Sequence, residues 1–192
     1  PPRSERTETL KSLLQQRFLV LDGAMGTMIQ TFNLAEADIR ERHFEDHHSQ
    51  LPLDIALLPL TRPHIILDIH DGFFEAGADI VETNTFGSNA ISQADYDLDG
   101  GTTVRDLNLA SARIARECAD AWTAKDPAKP RFVAGAIGPT PKTLSLSPDV
   151  NDPAARSVNF DELCDAYRDQ AVALIEGDVD ILLIETIFDT LN

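Results

Sequence analysis

Three acidic residues stand where an apolar run gives way to polar chain. Asp22 follows Phe18-Leu19-Val20-Leu21, Glu82 follows Ile80-Val81, and Glu185 follows Ile181-Leu182-Leu183-Ile184. A carboxylate withdrawn from water without a partner costs several kcal/mol or takes up a proton. Such residues must therefore face an open mouth, meet a cation or be paired. A ligand's ammonium group is one such cation, and for Glu185 a salt bridge to a neighbouring strand is the other reading. Beside Asp22, the turn Gly23-Ala24-Met25-Gly26 offers successive backbone N–H groups with little side-chain bulk, which suits a carboxylate. Asp22-Gly23 is also a turn former in its own right. An acid that binds ammonium across from a nest that binds carboxylate describes a pocket for an amino acid. The same acids permit a second chemistry, a hydrolase in which Asp22 works with Glu82 or Glu185 across roughly 5 to 9.5 Å.

These residues can meet only if the elements carrying them share an end. Phe18–Leu21, Ala78–Val81, Phe132–Ile137 and Val179–Ile184 each read as a strand buried on both faces, and each breaks into polar or turn residues. In barrels and open sheets of parallel strands, the residues past the carboxyl ends face the binding crevice. Helical spacing separates the strands. Thr7–Gln16 leads into the first, with Leu10, Leu13 and Leu14 on one side. Pro63 opens a helix with an apolar stripe of Ile65, Ile66, Ile69, Phe73 and Ala76, closed by Gly77. Thr102–Lys125 carries Val104, Leu107, Ile114, Cys118 and Ala121 on one face. Asn159 and Glu162 form a capping pair ahead of a stripe of Phe160, Leu163, Cys164, Tyr167, Ala171, Leu174 and Ile175. Two long connections, Met28–Arg62 and Gly138–Val158, exceed ordinary loop length; the first invites local helices, the second a flap over the mouth. The expectation is an α/β fold in one domain over residues 1–192: four parallel strands with three crossover helical regions, the first half of a (β/α)8 barrel, ending after the fourth strand.

Composition limits the partners. The 192 residues carry 16 Lys and Arg against 32 Asp and Glu, a formal net charge of -16, so neither a nucleic-acid backbone nor an anionic membrane finds a basic footprint. Cys118 and Cys164 lie far apart and read as reduced core thiols on helix faces. The first seventeen residues lack the apolar core of a secretion signal, and the cytoplasm is the expected compartment. His43, His47 and His48 invite a metal, but with no third ligand at a defined distance a solvated loop is the better reading.

At these residues the chain resembles the homocysteine S-methyltransferase family, in its cobalamin-dependent methionine synthase branch. The likeness is carried by LDGAMGTMIQ (21–30), FFEAGADIVETNTFGS (73–88), VAGAIGPT (133–140), SPDVNDP (147–153) and LLIETIFDTLN (182–192). It implies a (β/α)8 barrel in which zinc holds homocysteine as a thiolate. The methyl group comes from methylcobalamin, recharged from methyltetrahydrofolate on downstream modules. Carried over by position, Asp22 with the backbone of Gly23 and Ala24 would hold the amino-acid end of homocysteine, Glu185 its ammonium group, and Thr83 would line the pocket. The family's zinc sits on three cysteines late in the barrel, and Cys118 and Cys164 match none of them. The resemblance thus implies that this segment carries substrate-binding residues but no catalytic or metal-ligating ones, binds neither zinc nor cobalamin, and is inactive alone. An uncovered barrel edge leaves open a non-catalytic half-barrel that self-associates.

Overall fold

Each sheet strand ends where its apolar run ends. The structure, a computed structural model, describes residues 1–51 and 54–192; residues 52 and 53, inside the long Met28–Arg62 connection, lie outside that description. The chain runs through α1 (Arg3–Gln16), α2 (Met25–Gln30), α3 (Glu36–Arg40), α4 (Leu58–Thr61), α5 (Pro63–Glu75), β1 (Ile80–Glu82), α6 (Ala90–Gln93), α7 (Thr103–Lys125), β2 (Phe132–Ile137), α8 (Phe160–Glu176) and β3 (Ile181–Ile184). The sheet is parallel in the order β1-β2-β3, with Ile80 opposite Phe132 and Ala134 opposite Ile181. Helices α5, α7 and α8 lie at the crossovers and pack on one face. Among the described residues, no helix is long and apolar enough to cross a membrane.

Among the described residues the sheet has three strands, where the sequence led to an expectation of four. Phe18–Leu21 is extended beside β1 but joins it through the single bridge Leu21 to Ile80, with Asp79 and Ile80 donating to the Val20 carbonyl and Asp22 donating to that of Ile80. Among the described residues no strand pairs with this segment on its other side, and Phe18 is 97% exposed and Val20 57%. An apolar run shows what a segment could bury and is silent on how many neighbours it has.

The two faces of the sheet are packed differently. Val81, Val133 and Ile137 point into the helical layer, against Phe74, Ala112, Ala115 and Leu174. Ile80, Phe132 and Ala134 point the other way, where Leu10 of α1 closes one end. A third cluster, built on Ile66, Leu57, Leu58 and Leu107, roots the long connection to α5 and α7. That connection is largely α2, α3, α4 and single turns. Gly77, at φ +107°, turns α5 into β1 in a conformation that side chains resist.

Helix α1 starts four residues earlier than Leu spacing alone suggests, because its first turn does electrostatic work. Arg6 meets Asp180 at 2.6 Å, Arg116 of α7 meets the other oxygen at 2.7 Å, and Asp180 also accepts from the Val133 N–H at 2.9 Å. The same device recurs at β1. Arg17 forks onto both oxygens of Asp79, at 2.7 and 2.9 Å, and the Val20 N–H donates to that carboxylate at 2.9 Å. Burial pushes the Asp79 carboxyl up, but Arg17 and the Val20 N–H outweigh it and hold it below the usual carboxylate range.

Helix α8 begins as its capping pair requires: Asn159 accepts from the Glu162 N–H and Glu162 from the Asn159 N–H, both at 2.9 Å. Its buried face is Leu163, Ala166, Gln170, Ala173 and Leu174. Cys164 is exposed, as are Phe160 and Ile175, so the stripe expected from sequence is rotated away from the core at these three positions. In α5, likewise, Phe74 and His70 are buried while Ala76 is exposed. Cys118 is buried as expected, and burial raises its thiol to about 12, which keeps it inert.

Candidate functional site

Beyond Phe132, β2 turns only methyl groups, Ala134 and Ala136, toward the face where β1 and β3 carry longer side chains. The hollow left over Ala136 is a cavity of about 310 Å³. Ala24, Met25 and Gly26 line it on one side, Ile55 and Phe86 roof it, and Glu82, Thr83, Asn84 and Glu185 complete the wall. The glycine turn, the exit of β1 and the exit of β3 therefore reach one hollow at the carboxyl end of the sheet.

The acids are placed unequally. Glu82, at the end of β1, and Glu185, just past β3, line the same hollow beside Ala136. Burial first, then the charge and side chain of the neighbouring Glu185, raise the Glu82 carboxyl well above its ordinary range. Asp22 stands just behind the wall, where its Oδ1 accepts from the Glu82 N–H at 2.9 Å. Burial lifts its carboxyl to about 7, with the charges of Glu82 and Glu185 adding to the shift. Among the described residues, no arginine, lysine or histidine forms an ion pair with any of the three.

Across the hollow, Ala24 adopts the left-handed conformation, φ 55° and ψ 31°, at the start of α2. That backbone is costly for a residue with a Cβ, by about 1 to 2 kcal/mol. It turns the chain so that, among the described residues, the N–H groups of Gly23, Ala24 and Met25 donate to no protein acceptor. Thr83 lines the cavity, yet its hydroxyl is spoken for: Oγ1 lies 2.6 Å from that of Thr85 and accepts from the Ala136 N–H at 3.0 Å. Its part at the wall is shape and support rather than a free polar contact.

Sequence reasoning passed over Asn84 and the segment that roofs the site. The Asn84 amide donates to the Ile55 carbonyl at 2.7 Å, and its own N–H donates to Ser111 Oγ at 2.8 Å, so one residue clips the roof to β1 and α7. A second cavity, of about 400 Å³, shares Ile55, Asn84 and Phe86 with the first and is lined further by Asp54, Gln93, Tyr96 and Pro139. Asp54 accepts from the Ala56 N–H at 3.3 Å and from Gln93 at 3.4 Å; burial raises its carboxyl to about 6. No spacing rule in the sequence points to Asp54, because its partners are 2 and 39 residues away. Gly138 lets the next loop start against Phe86: a Cβ there would lie 2.7 Å from the Phe86 carbonyl oxygen. The loop is then fastened by Asp189, which accepts from Ser145 N and Oγ at 2.8 and 2.6 Å.

The histidines do not join the site. His43 lies in a single 3-10 turn, and His47 Nε2 sits 2.8 Å from the Tyr96 carbonyl. Among the described residues, no three His, Cys, Asp or Glu side chains are arranged to hold a metal ion. With Cys118 buried and Cys164 exposed on separate helices, the residues here do not fit the cysteine site that zinc would need.

Comparison with solved structures places the fold. The chain is similar to the homocysteine methyltransferase MmuM from Escherichia coli in its metallated form, with a TM-score of 0.70 at 23% identity over 95% of this chain and 58% of that one. The oxidized form of the same protein gives 0.71 at 24%, over 95% and 57%. The chain thus spans less than two thirds of the length of these relatives, and at such identity the likeness is one of fold. The family assignment comes from the sequence itself, in which residues 19–192 match the model of the homocysteine S-methyltransferase family from end to end of the sheet and its site. This chain belongs to the homocysteine S-methyltransferase family.

Proposed function

We propose that the cavity over Ala136 holds the amino-acid end of homocysteine in an enzyme that methylates its thiol to give methionine. One observation carries this reading: two half-buried acids, Glu82 and Glu185, with Asp22 behind them and, among the described residues, no cation paired to any of the three, share a single hollow with backbone N–H groups that donate to no protein acceptor. A ligand with an ammonium group and a carboxylate on one carbon completes both sides. Glu185 takes the ammonium, the Gly23 and Ala24 N–H groups take the carboxylate, Asp22 fixes the Glu82 backbone behind the wall, and Thr83 keeps the floor in shape. The side chain of such a ligand is then left to point toward the roof of Ile55 and Phe86.

In the same reading the methyl donor is methylcobalamin, recharged from methyltetrahydrofolate on modules beyond this segment. Zinc would activate the thiol, but its ligands are not among the residues present, so the segment by itself binds substrate without turning it over. Two free thiols suit a reducing, cytoplasmic compartment. Calorimetric titration of L-homocysteine into this chain, and into one extended downstream, tests the proposal. Glu185→Gln should weaken binding by roughly 1.5 to 3 kcal/mol, the worth of a hydrogen bond to a charged group. Unchanged affinity would remove Glu185 from the site.

A second reading is favoured by the sheet edges. Leu182 and Ile184 of β3 and the neighbouring Phe188 are 39%, 71% and 69% exposed, and Phe18 and Val20 are open at the other edge. Half-barrels could cover such edges by self-association. Gel filtration that returns a monomer at micromolar concentration would exclude it.

A further inference from the structure

We propose that Glu82 and Glu185 work as one acid pair, which holds a single proton in the empty pocket and yields it to solvent when a ligand's ammonium group arrives. The proposal rests on the amino-acid reading above and adds a residue to it, Glu82, with a role in selecting the ligand's charge.

The argument starts from the hydrogen-bond inventory. Two ionised carboxylates have only acceptors, so two that face one hollow without a cation are relieved by sharing a proton. The strand between them contributes only the methyl group of Ala136 to the lining of that hollow, which leaves both acids open to it. Among the described residues, no lysine, arginine or histidine lines the hollow to supply a positive charge in the proton's stead. The turn into α2 contributes Ala24, Met25 and Gly26; the first extended segment contributes a third acid, Asp22; the roof contributes Ile55, with Asp54 in the adjoining cavity. Arg6, Arg17 and Arg116 are engaged by Asp180 and Asp79 at the opposite end of the strands.

Charge then balances in both states. The empty pair with one proton carries a net charge of minus one; the pair with no proton and one bound ammonium carries the same. One positive charge replaces another, so the pocket is never asked to bury a second uncompensated carboxylate. A ligand that lacks the ammonium, such as an N-acylated amino acid, cannot make the exchange and meets either a neutral acid or two bare carboxylates. The pair thereby discriminates between free amino acids and acylated ones or peptides linked through that nitrogen.

Two measurements on the chain as it stands test this. In carbon-13 spectra of glutamate-labelled protein without ligand, Glu82 should titrate with a midpoint displaced upward from about 4.3, its ordinary value. Glu185→Gln should return that midpoint toward the ordinary range. A wild-type Glu82 midpoint in the ordinary range would overturn the pair, whatever homocysteine does. Titration calorimetry in phosphate and in Tris near pH 6.5 then counts protons. Homocysteine and homoserine should each release about one proton per molecule bound, the second showing that the thiol is not its source, and the count should fall toward zero above about pH 8.5. N-acetylhomocysteine should release none and bind at least about tenfold more weakly. Homocysteine binding without proton release would overturn the exchange while leaving the homocysteine pocket standing. Failure of homocysteine to bind would overturn both the pocket and the exchange.

Discussion

The same strands end in acids at both ends, and the two ends treat them in opposite ways. At the amino ends, Asp79 and Asp180 are buried, each accepts a backbone N–H from the adjoining segment, and each is met by arginine. At the carboxyl ends, Asp22, Glu82 and Glu185 crowd together with no cation, and burial drives Asp22 and Glu82 upward instead of down. The first arrangement is complete without a ligand. The second is not, and a fold that can neutralise aspartates 20 Å or less of chain away along a strand, at about 3.3 Å per residue, has left these to be neutralised from outside.

The largest effect that would sharpen this contrast is expected from Asp180→Ala. It takes the buried partner from Arg6 and Arg116, which keep only the half-exposed Asp178 and Asp120, and breaking a buried pair costs about 3 to 5 kcal/mol, readable as a lowered urea midpoint. A loss under about 1 kcal/mol would mean that the amino end is no better neutralised than the mouth. Asp79→Ala should cost less, roughly 1.5 to 3 kcal/mol, because Arg17 is 40% exposed and can turn to water.

The remaining effect is a slope, and its sign separates the ends. Asp22 has a folded value near 7, above an unfolded value of about 3.9, so the folded chain holds the extra proton between those limits. Stability should therefore fall as pH rises from about 4 to about 7, by up to roughly 1.4 kcal/mol per unit from this residue, and Asp22→Asn should flatten that part of the curve. Asp79 runs the other way: its folded value is depressed, so its contribution is present above about pH 4 and is lost as pH falls further. Unfolding curves across that range, with and without each substitution, would break the comparison if both residues gave slopes of one sign.

The mouth was the legible end. Apolar runs that stop at Glu82 and Glu185, and a small-residue turn after Asp22, are local patterns, and a strand's direction then decides where its last residue goes. The amino end was not legible, although Asp79 and Asp180 both stand one residue before their strands. Their partners come from 62 and 174 positions away, and no periodicity records a contact across that distance. Phe18–Leu21 misled for a related reason: four apolar residues look alike at the centre of a sheet and at its edge. Cys164 misled because a helix with apolar residues on more than one side has no single stripe, and tertiary packing chose Ala166, Gln170 and Ala173 instead. The Thr83 hydroxyl was visible as a pocket-lining group but not as one consumed by Thr85 and Ala136, since that requires knowing which backbone lies beside it.

Ala136 turns this geometry into a handle. Because its side chain ends at one carbon, a bulkier residue there would act as a spacer, prising the two glutamates apart and filling the hollow without altering any charge. Ala136→Val is thus a steric control against which every acid-to-amide change at this mouth can be read, dividing what the chamber owes to its size from what it owes to its protons.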